Sequence, residues 1–357
     1  MKQYLDLLQN ILDNGVEKES GRANMPNTIG ISHGVIRMDL GEGFPLLTTK
    51  KMYWKGIIHE LLWFLRGETN IKYLVDNNVN IWNGDAYRWY LRWWDMDGKD
   101  EPNLKKLETI EEFVEQIKNG HNYEYNSDNT RHYKLGDLGK VYGYQWRNQN
   151  GVDQVKEVLD GLKSNPYSRY HIIDGWNKAD FKEMALPPCH LLYQFIVRPL
   201  SHKERIDWWF NNRKPNRDVV DSFDEDSIEK QIEYLNESKV PKFYLDLNMY
   251  QRSCDTLLGV PFNISSMSTL LMIFAKVSNM LPGVATWIGG DTHLYMDHIP
   301  QVKDQLAREP YSLPKLKINK ELKSLEDILA LTIDDFELIS YNHHDKIKAE
   351  LFTGIKK

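Results

Sequence analysis

Cysteine is scarce in this chain of 357 residues, which has only Cys189 and Cys254. Two thiols cannot build a disulfide framework, so a reducing setting is expected: the cytoplasm, or the host cytoplasm if the source is viral. Long apolar runs are missing too. The strongest, Leu270 to Ala275, stops at Lys276, short of a membrane span, and the first residues, Met1 to Leu8, are amphipathic where a secretory signal would be an apolar block. Positive charge is in deficit, with 45 Lys and Arg against 51 Asp and Glu and a net charge of -6. That balance argues against a general nucleic-acid surface and leaves room for a local basic pocket holding a small anion. Neither common glycine-rich phosphate loop occurs, nor any internal repeat. What remains is 41% hydrophobic residues, ample for the core of one large domain or two ordinary ones. A soluble globular protein is expected.

Tyr4, Leu5, Leu8, Ile11 and Leu12 recur at helical spacing and stop at Gly15, which predicts a helix over 3–14 ended by a left-handed glycine. Residues 28–32 and 35–40 alternate as strands do. Residues 57–66 predict a largely buried helix closed by Gly67, and it carries Glu60 into apolar company. From about 83 to 134 the composition turns charged and aromatic, and a capping-box pattern at Thr109 to Glu112 predicts one helix there. A second excursion, about 199 to 241, begins basic and aromatic and ends acidic, with Ile228, Ile232 and Leu235 on one helix face; a solvated elaboration is expected. Beyond it come a strand over 242–250, a buried helix over 265–281 and a strand before Gly289-Gly290. The pattern is α+β.

The segment Met184-Ala185-Leu186-Pro187-Pro188-Cys189-His190 runs straight into the apolar stretch Leu191 to Val197. Two prolines fix φ and remove two donors, so the thiol is held at the mouth of a strand. Beside His190 and a supply of cations it would be partly thiolate, the attacking form. A packed core thiol fits the same residues.

Seven segments in order carry a resemblance. They are Gly43 to Lys50, His59 to Phe64, Gly136 to Arg147, Leu186 to His190, Tyr250 to Asp255, Gly259 to Asn263 and Gly290 to Tyr295. Together they resemble the thymidylate synthase family from Tyr4 to about Lys348, outside the two excursions. The resemblance implies a single α+β catalytic domain, residues 1–357, with a large mixed β-sheet covered by helices and insertions at about 83–134 and 199–241. It further implies a homodimer with a shared active site, and reductive methylation of dUMP to dTMP with 5,10-methylenetetrahydrofolate as co-substrate. No metal, membrane or nucleic acid is implied. A related reading is dUMP hydroxymethylase, in which water instead of hydride captures the exocyclic methylene.

On the resemblance, Cys189 is the nucleophile that adds to uracil carbon 6, Glu60 moves protons from a raised pKa, and Tyr142 and His190 stand beside thiol and base. Asn263 reads the uracil edge with its amide. Arg252, with Ser253, is the main phosphate clamp, and Arg22 and Arg169 add charge, Arg169 from the partner. His293 and Tyr295 contact the ribose. Asp255 holds the pterin, Trp82 walls the cofactor ring, Lys50 contacts the glutamate tail, and Gly259 lies in the same cofactor-side motif. Three features depart from the family: a longer loop around Arg22, Tyr170 where a second arginine is expected, and a longer, more basic C-terminal tail from Ala349 to Lys357.

Overall fold

The computed structural model of the chain describes residues 1–21, 24–96, 99, 105–120, 124–127 and 131–353, with the backbone alone for 124–127, 131, 132, 224 and 225. In chain order its main elements are α1 (Lys2–Asn14), β1 (Val16–Lys18), β2 (Thr28–Ile31), β3 (Gly34–Asp39), α2 (Trp54–Leu65), α3 (Lys72–Asp76), α4 (Asn83–Met96), α5 (Ile110–Lys118), β4 (Glu124–Ser127), β5 (Arg131–Lys134), α6 (Tyr142–Asn148) and α7 (Gln154–Ser164). There follow β6 (Ile172–Asp174), β7 (His190–Pro199), α8 (His202–Arg213), α9 (Arg217–Glu225), α10 (Ile228–Glu237), β8 (Phe243–Asp255), α11 (Gly259–Val277), β9 (Leu281–Tyr295), α12 (Ile299–Leu306), β10 (Lys315–Ile318), α13 (Leu325–Leu329) and β11 (Phe336–Ile339). The fold is α+β, as the pattern predicts.

Seven strands form the main sheet in the order β1-β2-β9-β8-β7-β6, with β3 also pairing to β9. All pairs are antiparallel except β8 and β9. A parallel pair needs a long crossover, and α11 supplies it. This 19-residue helix is long and apolar enough to cross a membrane, more so than the short run Leu270 to Ala275 implied, yet most of it is buried against β8, β9 and α2. It is a core helix.

The sheet is two-faced because its strands alternate. Tyr193, Phe195 and Val197 on β7 and Leu245, Leu247 and Met249 on β8 point into the core. Register places Ile196 opposite Asp246, and Tyr250, two pleats further along β8, opposite Ile288, which faces Val35 on β3. On that outer face Val35, Ile196 and Tyr250 stay exposed.

Three expectations change. Gly15 ends α1 in extended conformation, φ -70 and ψ 151. Glycine is needed there for space, since a Cβ would sit 2.3 Å from the Ile11 carbonyl oxygen. The excursion at 83–134 holds two helices and a strand pair among its described residues, because Ala86, Tyr87, Tyr90 and Trp93 give α4 its own buried stripe. The excursion at 199–241 has a small core of its own, Trp209, Phe223, Leu235 and Val240. Of the predicted face on α10 only Leu235 is buried, while Ile228 and Ile232 are exposed.

Candidate active site

Cys189 is half-buried at the foot of β7 and its peptide is pinned on several sides. Its N–H donates to the Tyr142 hydroxyl oxygen at 2.7 Å, and its carbonyl accepts from the Arg252 N–H at 2.8 Å. The Arg252 guanidinium donates through Nε to the Pro188 carbonyl at 2.8 Å and through Nη2 to the Pro187 carbonyl at 2.9 Å, and lies over the Trp176 ring. Two of its N–H donors thus hold the loop that carries Cys189, while Nη1 and the second Nη2 hydrogen are not engaged by these carbonyls. Proline carbonyls are strong acceptors with no local N–H to satisfy them, and the guanidinium takes both.

The thiol opens into a cavity of about 440 Å³ also lined by Glu60, Trp82, Tyr142, His190, Ser253, Asp255, Gly259, Asn263, His293, Tyr295 and Lys50. Residues spread over most of the chain thus converge on one hollow. Glu60, on the buried helix α2, accepts a hydrogen bond from Trp82 Nε1 at 2.7 Å. Burial pushes its carboxyl up to about 7, against the opposing pull of that bond. Such a group gives and takes protons near neutrality. Trp82 therefore orients the carboxylate as well as forming a wall, edge-on to Tyr142.

His190 is buried, and burial pushes its imidazole down to about 3. Its Nδ1 lies 2.6 Å from the Tyr193 hydroxyl. His190 is therefore neutral, and Arg252 is the cation held at the loop. Tyr142 packs between His190 and Phe64, with ring centroids 4.4 and 4.9 Å away, and burial holds its phenol well above the ordinary range.

Asn263 sits in the first turns of α11, and among the described residues its amide has no hydrogen-bond partner. Donor and acceptor are both free toward the cavity. Asp255 caps the turn before it, Oδ1 accepting from the Leu257 and Leu258 N–H groups at 3.1 Å each. Lys50 lines the cavity from its inner side. It is buried, donates to the Leu257 carbonyl at 2.5 Å, and is pushed down to about 8 by burial despite the nearby Asp255.

His293 is steered by Asp291, whose carboxylate lies 3.3 Å from Nδ1 and is itself bound by Lys18 at 2.7 Å. The contact with His293 and then Lys18 pulls Asp291 down to about 2. Tyr295 stands edge-on beside His293. Arg169 and Tyr170 are exposed and lie away from this cavity. Arg22 lies outside the described residues, as do residues 354–357 of the tail.

Several wall residues escaped the sequence reading: Ile81, Asp85, Leu258, Phe262, Leu351 and Phe352. The last two were legible only as the adjacent apolar pair in an otherwise polar tail. Asp85 carried no signal beyond its place two residues after the motif-like Trp82-Asn83.

A family profile described as thymidylate synthase matches residues 2–353. The thymidylate synthase of Malacoplasma penetrans is 42% identical over 353 residues, covering 98% of this chain and 99% of that protein. The thymidylate synthase of Mycoplasma mobile is 41% identical over 351 residues, and that of Mycoplasma pneumoniae 39% over 353, with the same coverage. With Cys189, the buried Glu60 carboxyl and the Asn263 amide gathered in one cavity and this likeness over nearly its whole length, the chain belongs to the thymidylate synthase family.

Proposed function

We propose that the chain catalyses reductive methylation of dUMP to dTMP with 5,10-methylenetetrahydrofolate as carbon and hydride donor, releasing dihydrofolate. One observation carries the reading: Cys189, Glu60 and Asn263 line the same cavity. Carbon 5 of uracil is a poor nucleophile. Addition of the Cys189 thiolate to carbon 6 makes the ring an enolate that attacks the folate methylene. Glu60, poised near neutrality, moves protons at the base and folate. The Asn263 amide pairs with O4 and N3 of uracil, and Tyr142 keeps the thiol aimed by holding the Cys189 peptide.

The nucleotide's sugar rests against His293 and Tyr295, and its phosphate against Ser253 and the donors of Arg252 that face away from the prolines. The pterin lies beside Trp82 and Leu258, with Asp255 at its edge and Gly259 leaving room. Lys50 orders that edge through Leu257. Leu351 and Phe352 from the tail wall the same cavity, and a walled site keeps water from the exocyclic methylene, which favours methylation over hydroxymethylation.

A second copy completes the assembly in this reading. The exposed outer row of Val35, Ile196 and Tyr250 suits burial against its own symmetry mate, and exposed Arg169 then reaches the partner's phosphate site. A chain with only two cysteines suits a reducing cytoplasm.

The deciding experiment is the mass of the product formed from dUMP and methylenetetrahydrofolate by the wild type and by Cys189→Ser. dTMP from the first and none from the second is expected, with dUMP binding retained. Turnover by Cys189→Ser near the wild-type rate sinks the covalent mechanism. Mixing inactive Cys189→Ser and Arg169→Glu subunits should restore part of the activity, and failure in verified heterodimers rules out the shared site.

A further inference from the structure

Two backbone carbonyls bracket the pair of tail residues that enters the cavity. On one side of Leu351-Phe352 the Glu350 carbonyl lies 2.9 Å from His298 Nε2. On the other the Thr353 carbonyl accepts from Arg88 on α4, the first helix of the inserted segment 83–134. Arg88 is in turn held by Asp85, one turn earlier on the same helix, through an ion pair. Gly84, next to Asp85, is shaped for the same contact, since a Cβ there would lie 2.7 Å from the Thr353 methyl. Between the two fixed carbonyls, Phe352 stacks on His298 at 4.8 Å and meets Tyr295 edge-on at 4.9 Å. The inserted helix thus receives the tail with a cation, an anion that aims it, and a missing side chain.

We propose that Arg88, aimed by Asp85, is a positioning residue that latches the C-terminal tail over the cofactor side of the cavity and so decides how much water reaches the reacting methylene. The proposal rests on the functional reading above. In the methyl route a hydride from the folate adds to the exocyclic methylene, the Cys189 thiolate leaves carbon 6, and dihydrofolate is released. In the leak, hydroxide from water adds to that methylene, the thiolate leaves, the remaining proton goes to solvent, and the folate leaves unoxidised as tetrahydrofolate. Arg88 touches neither substrate in this arrangement. It acts through Leu351 and Phe352, and holding a segment by both ends restricts it far more than holding it by one. The helix that carries Arg88 is anchored by buried Tyr87, Tyr90 and Trp93, so the latch stands on a rigid support.

The test compares five forms: wild type, Arg88→Ala, Arg88→Lys, a chain ending at Glu350, and that shortened chain with Arg88→Ala. Trypsin cleavage after the exposed Lys348 reads tail attachment without reference to catalysis. Arg88→Ala should speed that cleavage about ten- to a hundredfold, the range for losing one charge-assisted hydrogen bond, with the thermal midpoint unchanged. The same variant should lower kcat for dTMP, raise the share of 5-hydroxymethyl-dUMP by mass, and leave KM for dUMP near its wild-type value. Arg88→Lys should restore part of the effect, and in the chain ending at Glu350 Arg88→Ala should add nothing. Should Arg88→Ala fail to fold, Asp85→Asn replaces it, with a smaller change in the same direction. Wild-type cleavage and product ratio in Arg88→Ala, or losses that add fully to those of the truncated chain, overturn the latch. A wild type that makes no dTMP defeats the functional reading, and the cleavage comparison still decides the latch.

Discussion

The two inserted segments began as similar stretches, both rich in charge and tryptophan, and the fold uses them in opposite ways. Tyr87, Tyr90, Trp93, Phe113, Ile117 and Tyr133 of the first are continuous with the main hydrophobic core, and α5 packs on α3. The second keeps a separate core of four buried residues around Trp209. The first gives Asp85 to the cavity wall and Arg88 to the tail, whereas among the described residues the second gives the cavity nothing. Continuity of the core, more than composition, separates an insertion that works for the site from one that sits beside it.

The largest expected effect breaks this comparison at its two tryptophans. Trp93 is stacked on Tyr133 at 4.6 Å within the main core, and Trp209 packs on Phe223 at 4.7 Å within the satellite. Each truncation to alanine removes about 3 to 5 kcal/mol of packing. Trp93→Ala should lower the midpoint of the whole molecule and carry activity down with it. Trp209→Ala should loosen amide exchange over 202–240 and leave kcat near the wild-type value. Hydrogen exchange resolved along the chain decides between them, and global loosening by Trp209→Ala would mean that the satellite is not separate.

A second effect sharpens the contrast at the root of the first insertion, where Trp82 precedes α4 and holds Glu60. Glu60 is raised in the folded state from 4.5 to about 7, so its contribution to stability is full below the unfolded value and is lost as pH rises through about 7. Glu60→Gln cannot ionise. It should therefore abolish most turnover while narrowing the stability difference between about pH 4 and about pH 8 by about 3 kcal/mol. Trp82→Phe removes a bond that favours the carboxylate, so the limb of the pH–rate profile set by Glu60 should move to higher pH. An unmoved limb would mean that another group sets it, and Trp209→Phe in the satellite should leave it in place.

Much of the site was legible because its residues lie in short ordered segments whose chemistry is specific: a thiol behind two prolines, a carboxyl in an apolar helix, an amide after Pro261-Phe262. Strand alternation placed the sheet, and helical spacing found α11, although the helix runs Gly259–Val277 and so starts six residues before the predicted 265–281. What a sequence does not say is which neighbours desolvate or hold a group. Burial beside Tyr193 leaves His190 neutral, which its place next to Cys189 in the sequence does not tell. The Leu257 carbonyl holds Lys50 inside, a contact the sequence does not show. That Arg252 also holds the Pro187 and Pro188 carbonyls is visible only in the fold. In α4 the stripe Ala86, Tyr87, Tyr90 and Trp93 was a helical signal in plain view, masked by the charged residues between.

The smallest expected effect tests the same boundary from the outside of the second segment. Spacing puts Ile228, Ile232 and Leu235 on one face of α10, yet Leu235 is fully buried while Ile228 is 61% and Ile232 38% exposed. The helix runs past the satellite core at its N-terminal end, so only its last turns have something to pack against. Leu235→Ala should cost about 2 to 5 kcal/mol locally, the loss of a buried leucine. Ile228→Ala with Ile232→Ala should stay within about 0.5 kcal/mol, as exposed substitutions do, and leave turnover unchanged. A larger loss in the double variant, or a change in its sedimentation, would show that these side chains are covered in the assembled protein and that the satellite belongs to an interface.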